Sequence, residues 1–235
     1  MEIEVVDFVA GARAARGIAV VIDVFRAFSL AAYAFGRGAA SVVPVSSVDR
    51  ARELKRTHPE WLLVGERHAR QLPGFDCGNS PTQLEQFELL GRTLIHTTHA
   101  GTQGLVNAQQ ADEVLTGALV NANAIVQYIQ SKAPSRVTLV RMGHEAIERC
   151  EEDDVCAEIL AGRLTGNRAD ERALIESLRD APSARKFFDP ACDWAPAGDF
   201  DRCTQLDKFN FVLRLSRDSD TASLSRIDVT ASAGP

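Results

Sequence analysis

Short apolar, β-branched runs alternate with helical patterns along most of this chain, and that alternation excludes most architectures. Candidate strands fall at 18–24, 40–45, 61–65, 92–97, 113–118 and 136–142, with a last one at 209–215. Between them, 27–35, 48–57, 82–90, 102–109 and 122–132 carry helix formers with apolar residues three or four apart. Regular alternation with short connections predicts an α/β protein of three layers, α/β/α, around a mostly parallel or mixed sheet. Further helices are expected at 154–164, 169–180 and 183–188, and 216–235 reads as a loose polar C-terminal tail. The 235 residues suffice for one such domain, spanning 1–215, with no internal repeat.

Ligands of such sheets gather beyond the carboxyl ends of the strands, where helix N-termini present free N–H groups. The polar residues of this sequence collect there. Asp23 and Arg26 follow the first expected strand, Glu66 and Arg67 the third, Thr98 to Thr102 the fourth, and Asn121 to Asn123 the fifth. The densest segment is Leu63-Val64-Gly65-Glu66-Arg67 followed by Pro73-Gly74-Phe75-Asp76-Cys77-Gly78-Asn79-Ser80-Pro81. An apolar run opening into glycines, carboxylates and an arginine reads as a phosphate-plus-metal site. The competing reading is a surface loop whose Gly and Pro make turns and whose Asp and Ser cap a helix.

These segments, with Ile22-Asp23-Val24-Phe25-Arg26-Ala27-Phe28-Ser29, Thr97-Thr98-His99-Ala100-Gly101-Thr102 and Glu152-Asp153-Asp154-Val155-Cys156-Ala157, occur in an order that resembles the motifs of the 2-phosphosulfolactate phosphatase family. The resemblance implies a magnesium-dependent phosphatase of small phosphorylated hydroxy acids on a three-layer α/β fold. The chain also departs from the family pattern. Phe28 stands where the family usually has a threonine, the Thr98 to Thr102 loop is one residue longer, and around Arg141-Met142-Gly143-His144 the family tends to have a small Ala-Gly pair.

Phosphate monoester hydrolysis needs cationic groups for the non-bridging oxygens, charge neutralisation and an oriented nucleophile. Arg26 and Arg67 are the candidate phosphate clamps, because a guanidinium fork pairs two oxygens at once; surface ion pairs are their alternative role. Ser29, Asn79 and Ser80 are candidate hydrogen-bond donors to substrate, with helix capping as the alternative. The backbone around Thr98, Gly101 and Thr102 offers an anion nest at a helix start. For Mg2+, a hard ion that takes oxygen ligands, the available carboxylates are Asp23, Glu66, Asp76, Glu152 and Asp153. Acids at a helix start also complement the helix dipole. The nucleophile is a water, Asp23 or Cys156. An aspartyl nucleophile of the haloacid dehalogenase type is disfavoured because Phe25 stands where a second Asp is needed. Cys156, set among acids and in an apolar helical pattern, fits a buried thiol better than a thiolate.

The net charge of −6 argues against a nucleic-acid partner bound through a broad basic surface. The first residues lack the basic start and apolar core of a secretory signal, and no run approaches the ~18 apolar residues of a membrane span, so a cytoplasmic protein without a membrane partner is expected. The five cysteines show no C-x-x-C spacing, which speaks against a disulfide framework or a zinc cluster. A homodimer is compatible with the sequence. Besides the phosphatase, two readings stand: a non-catalytic binder of small phosphorylated anions, and a phosphatase whose specificity Phe28 and His99 have changed.

Overall fold

Strand β2 shows why the chain needs helices on both sides of a sheet: all five of its residues are buried. Successive side chains of a strand point to opposite faces, so Ala19 and Val21 enter one core and Ile18, Val20 and Ile22 the other. The computed structural model describes residues 1–217 and 221–229. The chain runs β1 (Glu2–Asp7), α1 (Phe8–Ala14), β2 (Ile18–Ile22), α2 (Ala27–Gly36), β3 (Ser41–Pro44), α3 (Val48–Thr57), β4 (Leu62–Arg67), β5 (Arg70–Gln71), α4 (Pro81–Leu84), β6 (Thr93–Thr97) and α5 (Gly101–Asn107). It continues through β7 (Glu113–Gly117), α6 (Ala122–Lys132), β8 (Arg136–Arg141), α7 (Glu151–Thr165), α8 (Glu171–Ser177), α9 (Ala197–Cys203), β9 (Phe211–Ser216) and β10 (Ser223–Asp228).

The sheet order is β1-β8-β2-β7-β9-β10-β3-β6-β4-β5. Strands β1, β8, β2 and β7 form one parallel block, and β3, β6 and β4 a second. The antiparallel pair β9 and β10 joins them, so the sheet is mixed. One core carries α1, α2 and α5. The other face is covered by α6, α7 and α9 over the first block and by α3 over the second. This is the three-layer arrangement expected from the alternation.

Three antiparallel pairings reverse the second block relative to the first, which by itself would put the carboxyl ends of β2 and β6 at opposite edges. Five strand steps separate these two strands. The loop after β6 nevertheless reaches the loop after β2, with Gly101 packed against Asp23.

Two sequence expectations need correction, and two elements were missed. The region read as a loose tail contributes β10, which pairs with β9 from Ser223 to Asp228 and touches β3 at Leu224; residues 218–220 and 230–235 of that expectation lie outside the described residues. The helix expected at 82–90 stops at Leu84, where the Arg37 guanidinium donates to the Leu84 and Phe87 carbonyls at 2.7 and 2.8 Å and closes the chain into turns. Strand β1 and helix α9 were not expected at all.

Candidate active site

The loops that follow β2, β4, β6 and β8, with the first turn of α7, enclose a cavity of about 380 Å³. At its floor Asp23 directly follows β2, and its Oδ1 accepts the Ala27 N–H at 3.2 Å, at the start of α2. Asp153, in the first turn of α7, accepts the Val24 N–H on Oδ1 at 2.9 Å and the Gly143 N–H on Oδ2 at 2.8 Å. One carboxylate thus ties together the loops after β2 and β8. Glu66, at the end of β4, accepts the His99 N–H on Oε1 and the Ala69 N–H on Oε2, both at 2.7 Å. Glu152 accepts the Ser183 hydroxyl at 2.5 Å.

All four carboxylates are buried, and among the described residues none is in an ion pair. Burial pushes the Asp23 carboxyl up to about 7; the Ala27 N–H opposes this, and the charges of Glu66 and Glu152 add to it. Burial, then Asp23 and Glu152, holds Asp153 well above the carboxylate range. Like charges gathered out of water call for protons or a cation. The donors fit a hard divalent ion: they are carboxylate oxygens, and the nearby Cys150 thiol is pushed up by burial and stays protonated.

Arg26, Arg149 and Lys186 also line the cavity. Arg26 is largely committed to the protein, with bonds to Asp199 Oδ2 at 2.7 Å, the Ala69 carbonyl at 3.0 Å and the Trp194 carbonyl at 3.3 Å. Lys186 lies over the rings of Phe25 and Phe187, 5.9 and 5.1 Å from their centroids. Arg149 pairs with Asp154 at 2.8 Å on the exposed rim. Asn79 lines the cavity while its Oδ1 lies 3.2 Å from His96 Nε2. Burial pushes His96 down to about 4, so its ring is neutral; with the proton on Nε2 it donates to Asn79 Oδ1.

Of the residues singled out in the sequence, the structure brings Asp23, Arg26, Glu66, Asn79, Glu152 and Asp153 to the cavity. The others have different tasks. Adjacent strand residues face opposite ways, so with Glu66 turned inward Arg67 points out, donating to the Glu66 and Ser46 carbonyls and to Thr97 Oγ1. Asp76 binds the Leu63 N–H and Lys55 away from the cavity. Ser29 donates to the Val24 carbonyl, and Ser80 caps α4 while donating to Asp199. Thr98 and Thr102 bond each other reciprocally at the start of α5. The expected anion nest is filled from within: Glu66 takes the His99 N–H, and Gly101 faces Asp23 so closely that an added Cβ would sit 2.6 Å from Oδ2.

Sequence reasoning did not find Lys186, Ser183, Arg149, Glu145 or His144 as cavity residues, nor Asp199, which binds Arg26, Ser80 and the Thr82 N–H. Their positions come from tertiary packing, and only the departure at Gly143-His144 marked that loop. Phe28 is a core residue rather than a cavity one, whereas His99 and Ala100, in the lengthened loop, do line the cavity.

A family model described as 2-phosphosulpholactate phosphatase matches residues 5–218. A protein of Bacillus subtilis (strain 168) named probable 2-phosphosulfolactate phosphatase is 29% identical over 212 residues, covering 89% of this chain and 92% of that one. Proteins of the same name match more locally. That of Caldanaerobacter subterraneus subsp. tengcongensis is 40% identical over 128 residues, 54% of this chain and 53% of its own. That of Clostridium perfringens (strain SM101 / Type A) is 35% identical over 155 residues, 64% and 62% of the two chains. The chain belongs to the 2-phosphosulpholactate phosphatase family. That makes it an enzyme of the phosphoric monoester hydrolase class. Among the described residues, no helix is long and apolar enough to cross a membrane.

Proposed function

We propose that this protein is a magnesium-dependent phosphatase that hydrolyses a small phosphorylated hydroxycarboxylic acid, such as 2-phosphosulfolactate, to the free hydroxy acid and phosphate. The observation that carries this reading is the group of four buried carboxylates without an ion-pair partner among the described residues, in a cavity that Arg26, Arg149 and Lys186 also line. Glu66, Glu152 and Asp153, with Asp23, would hold the ion. When bound, magnesium neutralises charge on the transferring phosphoryl group and makes a coordinated water more acidic.

The remaining work falls to the chain itself. Asp23, which lines the cavity beside the other three carboxylates, is the group assigned to orient the attacking water. The Asn79 amide, oriented by His96, donates to a phosphoryl oxygen. Lys186 and Arg149 meet the second anionic group of the substrate, a carboxylate or sulfonate. Arg26, tied to Asp199 and to the Ala69 carbonyl, shapes the wall between these parts. Cys156 is fully buried in the apolar core beneath α7, and burial pushes its thiol well up, which supports a structural thiol and a water nucleophile. At about 380 Å³ the cavity is near the small end of ligand pockets, in keeping with a compact phosphoester rather than a nucleotide. A cytoplasmic setting without nucleic-acid partners belongs to the same reading.

Phosphate release from 2-phosphosulfolactate, phospholactate, phosphoglycolate and ATP, each with magnesium and with chelator, tests the proposal. Magnesium-dependent release from the small acids and none from ATP supports it. Tight binding of the small acids without release would instead make the protein a binder.

A further inference from the structure

Three of the five histidines in the chain surround a single carboxylate oxygen at the mouth of the cavity. His68 Nδ1 lies 2.5 Å from Glu145 Oε1, and His99 Nδ1 and His144 Nε2 each lie 3.9 Å from the same atom. The His68 and His99 rings meet edge to face with centroids 5.1 Å apart. One ligand atom from each of His68, His99 and Glu145 lies within 4.8 Å of the other two. A second observation concerns His99 Nδ1 itself: it is shielded from solvent and, among the described residues, has no hydrogen-bond partner. A shielded nitrogen left unpaired is costly unless something binds it.

The cluster is held from behind. Glu66 takes the Ala69 N–H and the His99 N–H with its two oxygens, so one carboxylate clamps the loop that carries His68 to the loop that carries His99. The backbones of His68 and Glu145 both adopt positive φ, 53° in each case. Among non-glycine residues that conformation is uncommon, and here it turns both side chains to the same point.

Imidazole nitrogens beside one carboxylate are a ligand set for a borderline transition-metal ion, whereas magnesium is served by oxygens alone. We infer that His68, His99 and Glu145, with His144 adjacent, form a second divalent-metal site at the cavity mouth that takes zinc or a chemically similar ion. Three protein ligands leave a coordination position open, as in sites that bind an exogenous group. His99, His144 and Glu145 line the cavity, so that position is available to an anion entering it. The site shares the cavity with the carboxylate floor but uses different side chains as ligands, and it does not depend on the phosphatase reading.

Metal-free protein titrated with Co2+ under saturating Mg2+, followed by visible absorption, tests the inference. The expected result is one Co2+ per chain with the d–d bands of an imidazole-ligated ion, displaced by Zn2+. His68→Ala and Glu145→Gln should each weaken Co2+ binding by at least about tenfold, and His68→Ala combined with His99→Ala should remove it. His68 has a 71% exposed side chain, so its replacement spares the fold, and circular dichroism checks this for each variant. Three results would overturn the inference: no Co2+ bound by the wild-type protein, Co2+ displaced by Mg2+, or undiminished Co2+ binding in the folded double variant. Any of them would return the histidines to ordinary ion-pair partners of Glu145.

Discussion

At the floor of the cavity, Asp23, Glu66, Glu152 and Asp153 are at most 8% exposed, and each accepts at least one hydrogen bond from the protein. At its mouth, the side chains of His68, His99, His144 and Glu145 are between 23% and 71% exposed. The floor is built on strand ends and a helix start, and three of its four carboxylates are held by backbone N–H groups, the fourth, Glu152, by the Ser183 hydroxyl. The mouth is built on loops. A site of the first kind is oriented before any ligand arrives and works electrostatically in a dry setting; one of the second kind can adjust as it binds. The same cavity therefore combines a rigid set of hard donors with a looser set of softer ones.

The comparison breaks most sharply at Asp153. In Asp153→Asn, an amide NH2 must face one of the two backbone N–H groups that now donate to the carboxylate. Turnover should fall on the order of 10²–10³-fold, and denaturant unfolding should show a loss of about 1–3 kcal/mol. Near wild-type values would mean that the floor is not preorganised by this residue.

Gly101→Ala disturbs the floor without touching its charge. The new Cβ would meet Asp23 Oδ2 at 2.6 Å, Ala27 Cβ at 3.0 Å and Phe28 Cζ at 3.1 Å. Displacement of Asp23 by even a fraction of an ångström should lower kcat by on the order of 10²-fold, with overpacking that costs about 1–3 kcal/mol. Unchanged kinetics would free Asp23 from any catalytic part.

Among the cations the expected effects divide by location. Lys186→Ala removes a cavity cation, and KM for a dianionic substrate should rise roughly 10–100-fold, the equivalent of one charge-assisted contact. Arg67→Ala, outside the cavity, should change kcat/KM by less than about tenfold, its cost appearing mainly as lost stability. The reverse order in steady-state kinetics would restore Arg67 as the phosphate clamp.

The smallest effect concerns pH. A raised Asp23 pKa means that the folded protein binds a proton more tightly than the unfolded chain, so without an ion stability falls as pH rises from ordinary carboxylate values through about 7. His96 acts in the other direction: its lowered pKa gives stability that is full above its ordinary value near 6.5 and lost as pH falls toward 4. A cation at the floor removes only the first of these effects. The rise in melting temperature on adding magnesium should therefore be larger at pH 8 than at pH 5 by scanning calorimetry, and equal shifts would place the ion elsewhere.

Sequence periodicity located the elements whose packing is local and amphipathic: α3 and α6 begin and end where their apolar spacing does. It did not find β10, because Ser-Leu-Ser-Arg-Ile-Asp buries only Leu224 and draws its order from pairing with β9. At the site, the acids of strand ends and of the α7 start were legible because sheet topology brings such positions together. Arg67 was misplaced by overlooking that it cannot share a face with Glu66. Lys186 was invisible because nothing in its own segment shows that it packs over Phe25, about 160 residues earlier.

Anomalous diffraction from crystals of the protein soaked in Mn2+, an oxygen-seeking stand-in for magnesium, bears most directly on the central claim. A strong peak is expected among the carboxylates of Asp23, Glu66, Glu152 and Asp153, absent from crystals of Asp153→Asn. A floor without a peak, in crystals whose Mn2+ sits only on surface acids, would contradict it.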